Sequence, residues 1–191
     1  MALSKALIYM ERITIFDKTF RTFIPYDEIM AAIDKVADKM NEDFKDCEDV
    51  PVLLCVLNGS IMFTSELMQR LNFACQLVSI KLTSYEGVSS TGRVKQAMGL
   101  TADITGRRVI IVEDIVDTGN TIVELKEILK EKGARESIVC TLLHKPEACL
   151  KDLALEYVAI PIPNKFIVGF GLDYNELGRN LKDIYVLDDA K

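Results

Sequence analysis

The most chemically loaded stretch of the chain reads VIIVEDIVDTGNT over residues 109–121, an apolar run that passes into three carboxylates, Glu113, Asp114 and Asp117, and then into a Thr-Gly-x-Thr turn. Backbone N–H groups of that turn, the hydroxyls of Thr118 and Thr121, and the start of a following helix would together cradle an anion. Gly119 suits the turn because a residue without a side chain lets the backbone approach a phosphate closely. Carboxylates beside a phosphate repel it, so the three acids are useful only if the ligand also offers hydroxyls, a bound Mg²⁺ or a centre developing positive charge. A phosphorylated sugar with a departing pyrophosphate offers all three. A capping cluster at a helix start is the plainer reading of an isolated Asp-Thr-Gly. The full acid-acid-x-x-Asp-Thr-Gly-x-Thr run behind an apolar strand is far more specific.

Such a turn needs a sheet to carry it. The apolar run at 109–112 reads as a buried strand, 118–132 as a helix closed by Gly133, and 137–143 as a second strand, which makes one crossover unit. An earlier unit has a strand at 52–57, ended by Asn58, Gly59 and Ser60, then a helix over 61–71 and a strand over 75–82. Helical spacing of Ile29, Ala32, Ile33, Val36, Ala37 and Met40 predicts an amphipathic helix over 26–40 before it. The fold class expected is therefore α/β, a mostly parallel central sheet flanked by helices, with ligands gathered at the carboxyl ends of the strands. The segment 83–105, with Gly87, Gly92 and Gly99, is too long and polar for an idle connection and reads as a binding loop or lid. Short strands at 157–160, 166–170 and 184–187 are too sparse for a third unit and suggest a small hood over the sheet edge.

With 191 residues, 49% of them hydrophobic, the chain suits one domain spanning 1–191. A net charge of −6 argues against nucleic acid as a partner, since that affinity needs a basic face. No apolar stretch at the N-terminus is long enough for a signal core or a membrane span, so no membrane is implied and the cytoplasm is expected. Cys47, Cys55, Cys75, Cys140 and Cys149 are odd in number and contain no CxxC pair, which favours free thiols over a disulfide framework or zinc site. The single histidine, His144, reads as a structural or rim residue. No G-x-x-x-x-G-K-[ST] is present, and Gly169-Phe170-Gly171 lacks the helix-opening glycine of a dinucleotide fingerprint.

Taken with LNGS at 57–60, SYEGVSSTG at 84–92, Lys145 behind a strand and NKFIVGFGLDYNE followed by Arg179, the acidic run resembles the motif set of type I phosphoribosyltransferases of the hypoxanthine-guanine kind. The resemblance covers about 27–188. It implies the type I phosphoribosyltransferase fold, with a hood formed by the N-terminal segment and about 160–191. It also implies Mg²⁺ as cofactor, phosphoribosyl pyrophosphate and hypoxanthine or guanine as substrates, and a homodimer or homotetramer. By the same resemblance, Glu113 and Asp114 hold ribose hydroxyls, and Asp117 lies near purine N7 as general acid/base. Asp117, Thr118, Gly119, Asn120 and Thr121 wrap the 5-phosphate. Leu57 and Asn58, joined by a peptide commonly cis in the family, face pyrophosphate with Gly59, Ser84, Tyr85 and Arg179. Lys145 meets the 6-oxo oxygen, Phe166 stacks on the base, and Ile167 offers backbone groups to its edge. Asp173 lies by the base and, with Glu113 and Asp114, completes the metal-holding set. Some members carry Lys where this chain has Asn58 and Asn120, which shifts anion binding toward backbone and magnesium.

Overall fold

The computed structural model describes residues 12–85 and 94–188. Its centre is the strand β3, Val52–Leu57, whose side chains alternate between two cores. Leu53 points to one face, where helices α1 (Tyr26–Phe44) and α2 (Ile61–Met68) pack, and Val52, Leu54 and Val56 point to the other, covered by α3 (Asn120–Glu131). Burial on both faces is why VLLCVL is apolar without alternation. Around β3 lie β4 (Gln76–Tyr85), β5 (Val94–Met98), β6 (Arg108–Val116), β7 (Glu136–His144) and β8 (Tyr157–Pro161) in the order β5-β4-β3-β6-β7-β8. The five strands from β4 to β8 in this order are parallel, and β5 is an antiparallel edge. The chain is thus of the mixed α/β, parallel-sheet class that its alternating pattern predicts.

A second, four-stranded antiparallel sheet joins β1 (Arg12–Ile15), β2 (Lys18–Ile24), β10 (Ile184–Leu187) and β9 (Ile167–Val168), in that order. Ile15, Phe20, Val168 and Tyr185 form its own small core. The two N-terminal strands were not foreseen. The strand expected over 166–170 shrinks to two residues because Gly169, Phe170 and Gly171 all take positive φ, 101°, 47° and 100°, and turn the chain away.

Two further differences bear on the site. The polar segment 83–105 is not wholly irregular: β4 runs on to Tyr85, and β5 returns along it from Tyr85↔Val94 to Lys81↔Met98. The sequence of β5, VKQAM, has too few apolar residues to announce a strand, which hid the hairpin from a hydrophobic pattern. The tip of the expected lid, residues 86–93, lies outside the described residues, as do 1–11 and 189–191. The strand expected over 109–112 continues to Val116, so Glu113 and Asp114 stand within β6. Pairing of β6 with β3 ends at Cys55↔Val112, whereas pairing with β7 continues to Val116↔His144. From Glu113 onward one edge of β6 is left without a neighbouring strand, and the cleft opens there.

Candidate active site

The carboxyl end of β3 forms one wall. The Leu57–Asn58 peptide is cis, and Gly59 follows against the side chain of Asp114. A Cβ on Gly59 would fall 1.6 Å from Asp114 Oδ2 and 2.4 Å from its Cγ, so the contact is possible only for glycine. On the other side, a Cβ on Gly171 would fall 1.9 Å from the Gly59 carbonyl oxygen. Gly171 is a site-forming residue whose only mark in the sequence is the Gly-Phe-Gly pattern of residues 169–171. Arg179 ties the same loop: its Nη1 donates to the Gly171 carbonyl at 2.7 Å and its Nη2 pairs with Asp173 Oδ1 at 2.5 Å. The structure thereby links Leu57, Asn58, Gly59, Asp114, Asp173 and Arg179 by direct contacts.

Glu113 is 6% exposed, and its Oε2 has no hydrogen-bond partner among the described residues. Burial first, and then the adjacent Asp114 charge, push its carboxyl well above the usual range. Burial also raises Asp114, against the lowering effects of hydrogen bonding with Glu113 and the Ile115 N–H and of the Arg179 charge. The Ile115 N–H donates to Asp114 Oδ1 at 2.8 Å. An acid whose folded pKa is raised contributes stability that is full below its unfolded pKa and lost as pH rises through the folded value. Glu113→Gln is therefore expected to raise the ligand-free, metal-free Tm at neutral pH by about 2–6 °C and to flatten its decline above about pH 4.5. Thermal melts from about pH 5 to about pH 8 test this; a lower Tm for the glutamine variant would mean that the carboxylate form is the one the fold favours.

Beyond β6 the chain turns through Thr118 and Gly119 into α3. Gly119 is the N-cap at φ 83°, and a Cβ there would lie 2.6 Å from Leu153 Cδ1 and 3.3 Å from Cys149 Sγ, so Leu153 and Cys149 form the floor beneath the turn. The helix therefore starts at Asn120 and not at 118. No acid occupies its first turn, which leaves the positive end of its dipole without a compensating carboxylate there. A cavity of about 250 Å³ is lined by Glu113, Asp114, Asp117, Thr118, Gly119 and Thr121, among others. Asn120, expected in the phosphate wrap, is exposed and is not part of that lining. Lys145, only 8% exposed, reaches across from the end of β7 and donates to Asp117 Oδ2 at 2.7 Å. A buried ammonium held on a half-exposed carboxylate fixes the orientation of both.

The remaining candidates stand on the smaller sheet or the hairpin. Phe166, directly before β9, is 43% exposed and touches Phe20 and Tyr174. Ile167 buries its side chain in the core, but it occupies the non-hydrogen-bonded position opposite Val186, so its N–H and C=O face away from β10 along the free edge of β9. Ser84 and Tyr85 end β4, three and four residues past the register position opposite Leu57, which carries that strand on the order of 10 Å beyond the end of β3. His144 is half-buried at the end of β7, and its Nε2 is buried without a partner among the described residues. Also among those residues, no group of three or more His, Cys, Asp or Glu side chains is arranged to hold a metal ion.

Comparison with known proteins adds a second line of support. Residues 25–175 match the phosphoribosyl transferase domain. The chain is 36% identical over 170 residues, 88% of its length and 93% of the other's, to hypoxanthine-guanine phosphoribosyltransferase of Streptococcus pneumoniae. Among solved structures it superposes on a hypoxanthine-guanine phosphoribosyltransferase from Bacillus anthracis with a TM-score of 0.76 at 33% identity, covering 87% of this chain and 96% of that one. It also superposes on the hypoxanthine phosphoribosyl transferase of Trypanosoma cruzi, with a TM-score of 0.80 at 30% identity over 92% and 95% of the two chains.

Proposed function

This chain belongs to the phosphoribosyltransferase family, in its hypoxanthine-guanine branch, and we propose that the cleft between β3, β6 and the Gly169–Arg179 loop is where its reaction takes place. The reaction is a step of purine salvage: the 5-phosphoribosyl group passes from phosphoribosyl pyrophosphate to hypoxanthine or guanine, giving IMP or GMP and pyrophosphate. The observation that carries the assignment of the cleft is the juxtaposition of an acidic pair, Glu113 and Asp114, with an uncharged helix N-terminus and a Lys145–Asp117 pair. The turn from Thr118 to Thr121 receives the 5-phosphate on backbone N–H groups. Glu113 and Asp114 accept hydrogen bonds from the ribose hydroxyls, and their charge favours the oxocarbenium-like ribose that forms as the bond from C1 to pyrophosphate breaks and a purine nitrogen attacks. Asp117, oriented by Lys145, exchanges a proton with the ring at N7. Phe166 stacks on the base, Ile167 meets its edge through backbone groups, and Lys145 donates to the 6-oxo oxygen.

The unpartnered Oε2 of Glu113, beside a second carboxylate, fits a cation's water shell as well as a ribose hydroxyl. Magnesium, when bound, neutralises the leaving pyrophosphate; the adjacent Glu113 and Asp114 would hold it together, and Asp173, whose oxygens already meet Arg179 and the Glu176 N–H, would reach it only through water, with most ligands left to substrate and water. Gly59 and Arg179 add donors on the pyrophosphate side, and Ser84 and Tyr85 stand on the hairpin that would close over it. Asn58 brings no positive charge there, so backbone and Arg179 carry more of that contact.

The decisive experiment is a panel of purines assayed with phosphoribosyl pyrophosphate and Mg²⁺. Lys145 can only donate, so it suits a 6-oxo acceptor and meets another donor in adenine. Hypoxanthine and guanine should release pyrophosphate, adenine should be at least about tenfold poorer in kcat/KM, and chelation of the metal should stop turnover. Equal use of adenine, or no purine-dependent release, would overturn the assignment.

The exposed Ile61, Met68 and Leu77 line an apolar groove of about 440 Å³ beside α2 and β4, which supports a self-associated protein, with a second copy over this face. Sedimentation of Leu77→Glu, expected to weaken the assembly, tests that. All five cysteines are unpaired and no described helix is long and apolar enough to span a membrane, both compatible with work in the reducing cytoplasm.

A further inference from the structure

We infer that Tyr174 is a positioning residue for the base-stacking ring of Phe166, and that the β1–β2 turn holds Tyr174 in place for this purpose. The inference rests on the reading that Phe166 stacks on the purine. A ring that is 43% exposed and sits beside a two-residue strand has few neighbours to fix its plane, yet stacking rewards a plane that is fixed before the base arrives. Tyr174 supplies the restraint. Its ring meets Phe166 at a centroid separation of 5.7 Å and an interplanar angle of 89°, the edge-to-face arrangement that aromatic quadrupoles favour. Phe20 touches Phe166 from the core side at 5.9 Å.

Tyr174 is itself held from several directions. Its hydroxyl donates to Asp17 Oδ1 at 2.7 Å, Phe16 meets its ring edge-on at 5.8 Å, and Lys18 Nζ lies 5.2 Å from the ring centroid. Phe16 and Asp17 form the β1–β2 turn, where Phe16 takes φ 53°, and Lys18 is the first residue of β2. On its own side Tyr174 opens a two-residue hairpin: Asn175 and Glu176 take φ 49° and 70°, and Tyr174 and Leu177 exchange backbone hydrogen bonds at 2.9 and 3.1 Å. Two successive positive φ values mark the tight primed type of turn. The Glu176 N–H donates to Asp173 Oδ2 at 2.7 Å, and Asp173 pairs with Arg179. The same short hairpin therefore sets Tyr174 toward the base and Asp173 toward the anion side, and the N-terminal strands matter to base binding although none of their residues is assigned to it.

The test separates the two substrates. Tyr174→Leu should raise the KM for hypoxanthine roughly three- to tenfold, the range expected of one lost aromatic pair, and leave the KM for phosphoribosyl pyrophosphate within about twofold. Tyr174→Phe, which keeps the ring but loses the hydroxyl bond to Asp17, should fall between the native chain and Tyr174→Leu and should match Asp17→Ala. The chain contains no tryptophan, so Phe166→Trp provides a single fluorescent reporter at the stacking position. Its anisotropy should fall when Tyr174→Leu or the exposed Asp17→Ala is added, and the Asp17 variant keeps the question open to test if the leucine variant does not fold. Equal rises in both KM values, an unchanged hypoxanthine KM, or an unchanged tryptophan anisotropy would overturn the inference. Phe166→Leu distinguishes this from failure of the underlying reading: if it too leaves the purine KM unchanged, Phe166 is not the stacking residue.

Discussion

Asp117→Asn is expected to lower kcat about 10²-fold while leaving the KM for phosphoribosyl pyrophosphate within about twofold. The amide matches the carboxylate in shape and can still accept from Lys145 Nζ, which now lies 2.7 Å from Asp117 Oδ2, so the turn should keep its geometry. What it loses is the ability to take or return a proton. Binding of the sugar phosphate depends on the backbone of Thr118 to Thr121 and on the acidic pair, neither of which the substitution touches. Steady-state rates in both directions, with melts to verify the fold, decide the matter. An unchanged kcat would remove Asp117 from proton transfer and leave it as an anchor for Lys145.

Gly59→Ala should reduce kcat/KM by at least about 10²-fold with only a small change in Tm, because the clash falls on a functional side chain and not on the core. The new methyl would need the volume now taken by Asp114 Oδ2, 1.6 Å away. Asp114 must then swing out, break its bond from the Ile115 N–H and vacate the position beside Glu113. Retreat of Gly59 in the other direction is resisted, since its carbonyl lies where a Gly171 side chain would begin. Gly106→Ala is the matching control: it too is a loop glycine at positive φ, but nothing lies within 4 Å of its added Cβ, so it should cost stability and spare activity. Retention of more than about a tenth of native kcat/KM by Gly59→Ala would show that Asp114 is free to move without penalty.

Much of the parallel sheet is legible in the chain because its strands are buried on both faces and its helices on one. VLLCVL and the 3.6-residue spacing along α1 leave little choice. The Schellman ending of α3 is equally plain: Gly133 at φ 78°, with Gly133 N–H donating to Lys130 and Ala134 N–H to Leu129. β1, β2 and β5 were not legible, since RITI, KTFRTFI and VKQAM mix polar with apolar residues, β1 and β5 are edge strands, and β2 finds its second partner, β10, only at the far end of the chain. The acids and the phosphate turn announce themselves through unusual composition at a strand end. Gly171, Tyr174, Cys149 and Leu153 do not, because their contributions are a missing side chain, an aromatic edge and a packed floor, which exist only once distant segments meet. Asn120 lies inside the motif with an exposed side chain, so its place in the turn is a matter of backbone and not of the residue type that the sequence shows.

The free edge of β9 has a consequence for cells challenged with a toxic 6-oxopurine analogue that this enzyme would convert into a nucleotide. Where base recognition rests on the Ile167 peptide groups, no side-chain substitution can delete those contacts singly, and the Ile167 side chain itself is committed to the core. Escape by subtle retuning of the edge is closed off. Alleles that tell such an analogue from hypoxanthine should therefore fall at the side chains that meet the base or hold its stacking ring, Lys145, Phe166 and Tyr174, and not at Ile167 itself.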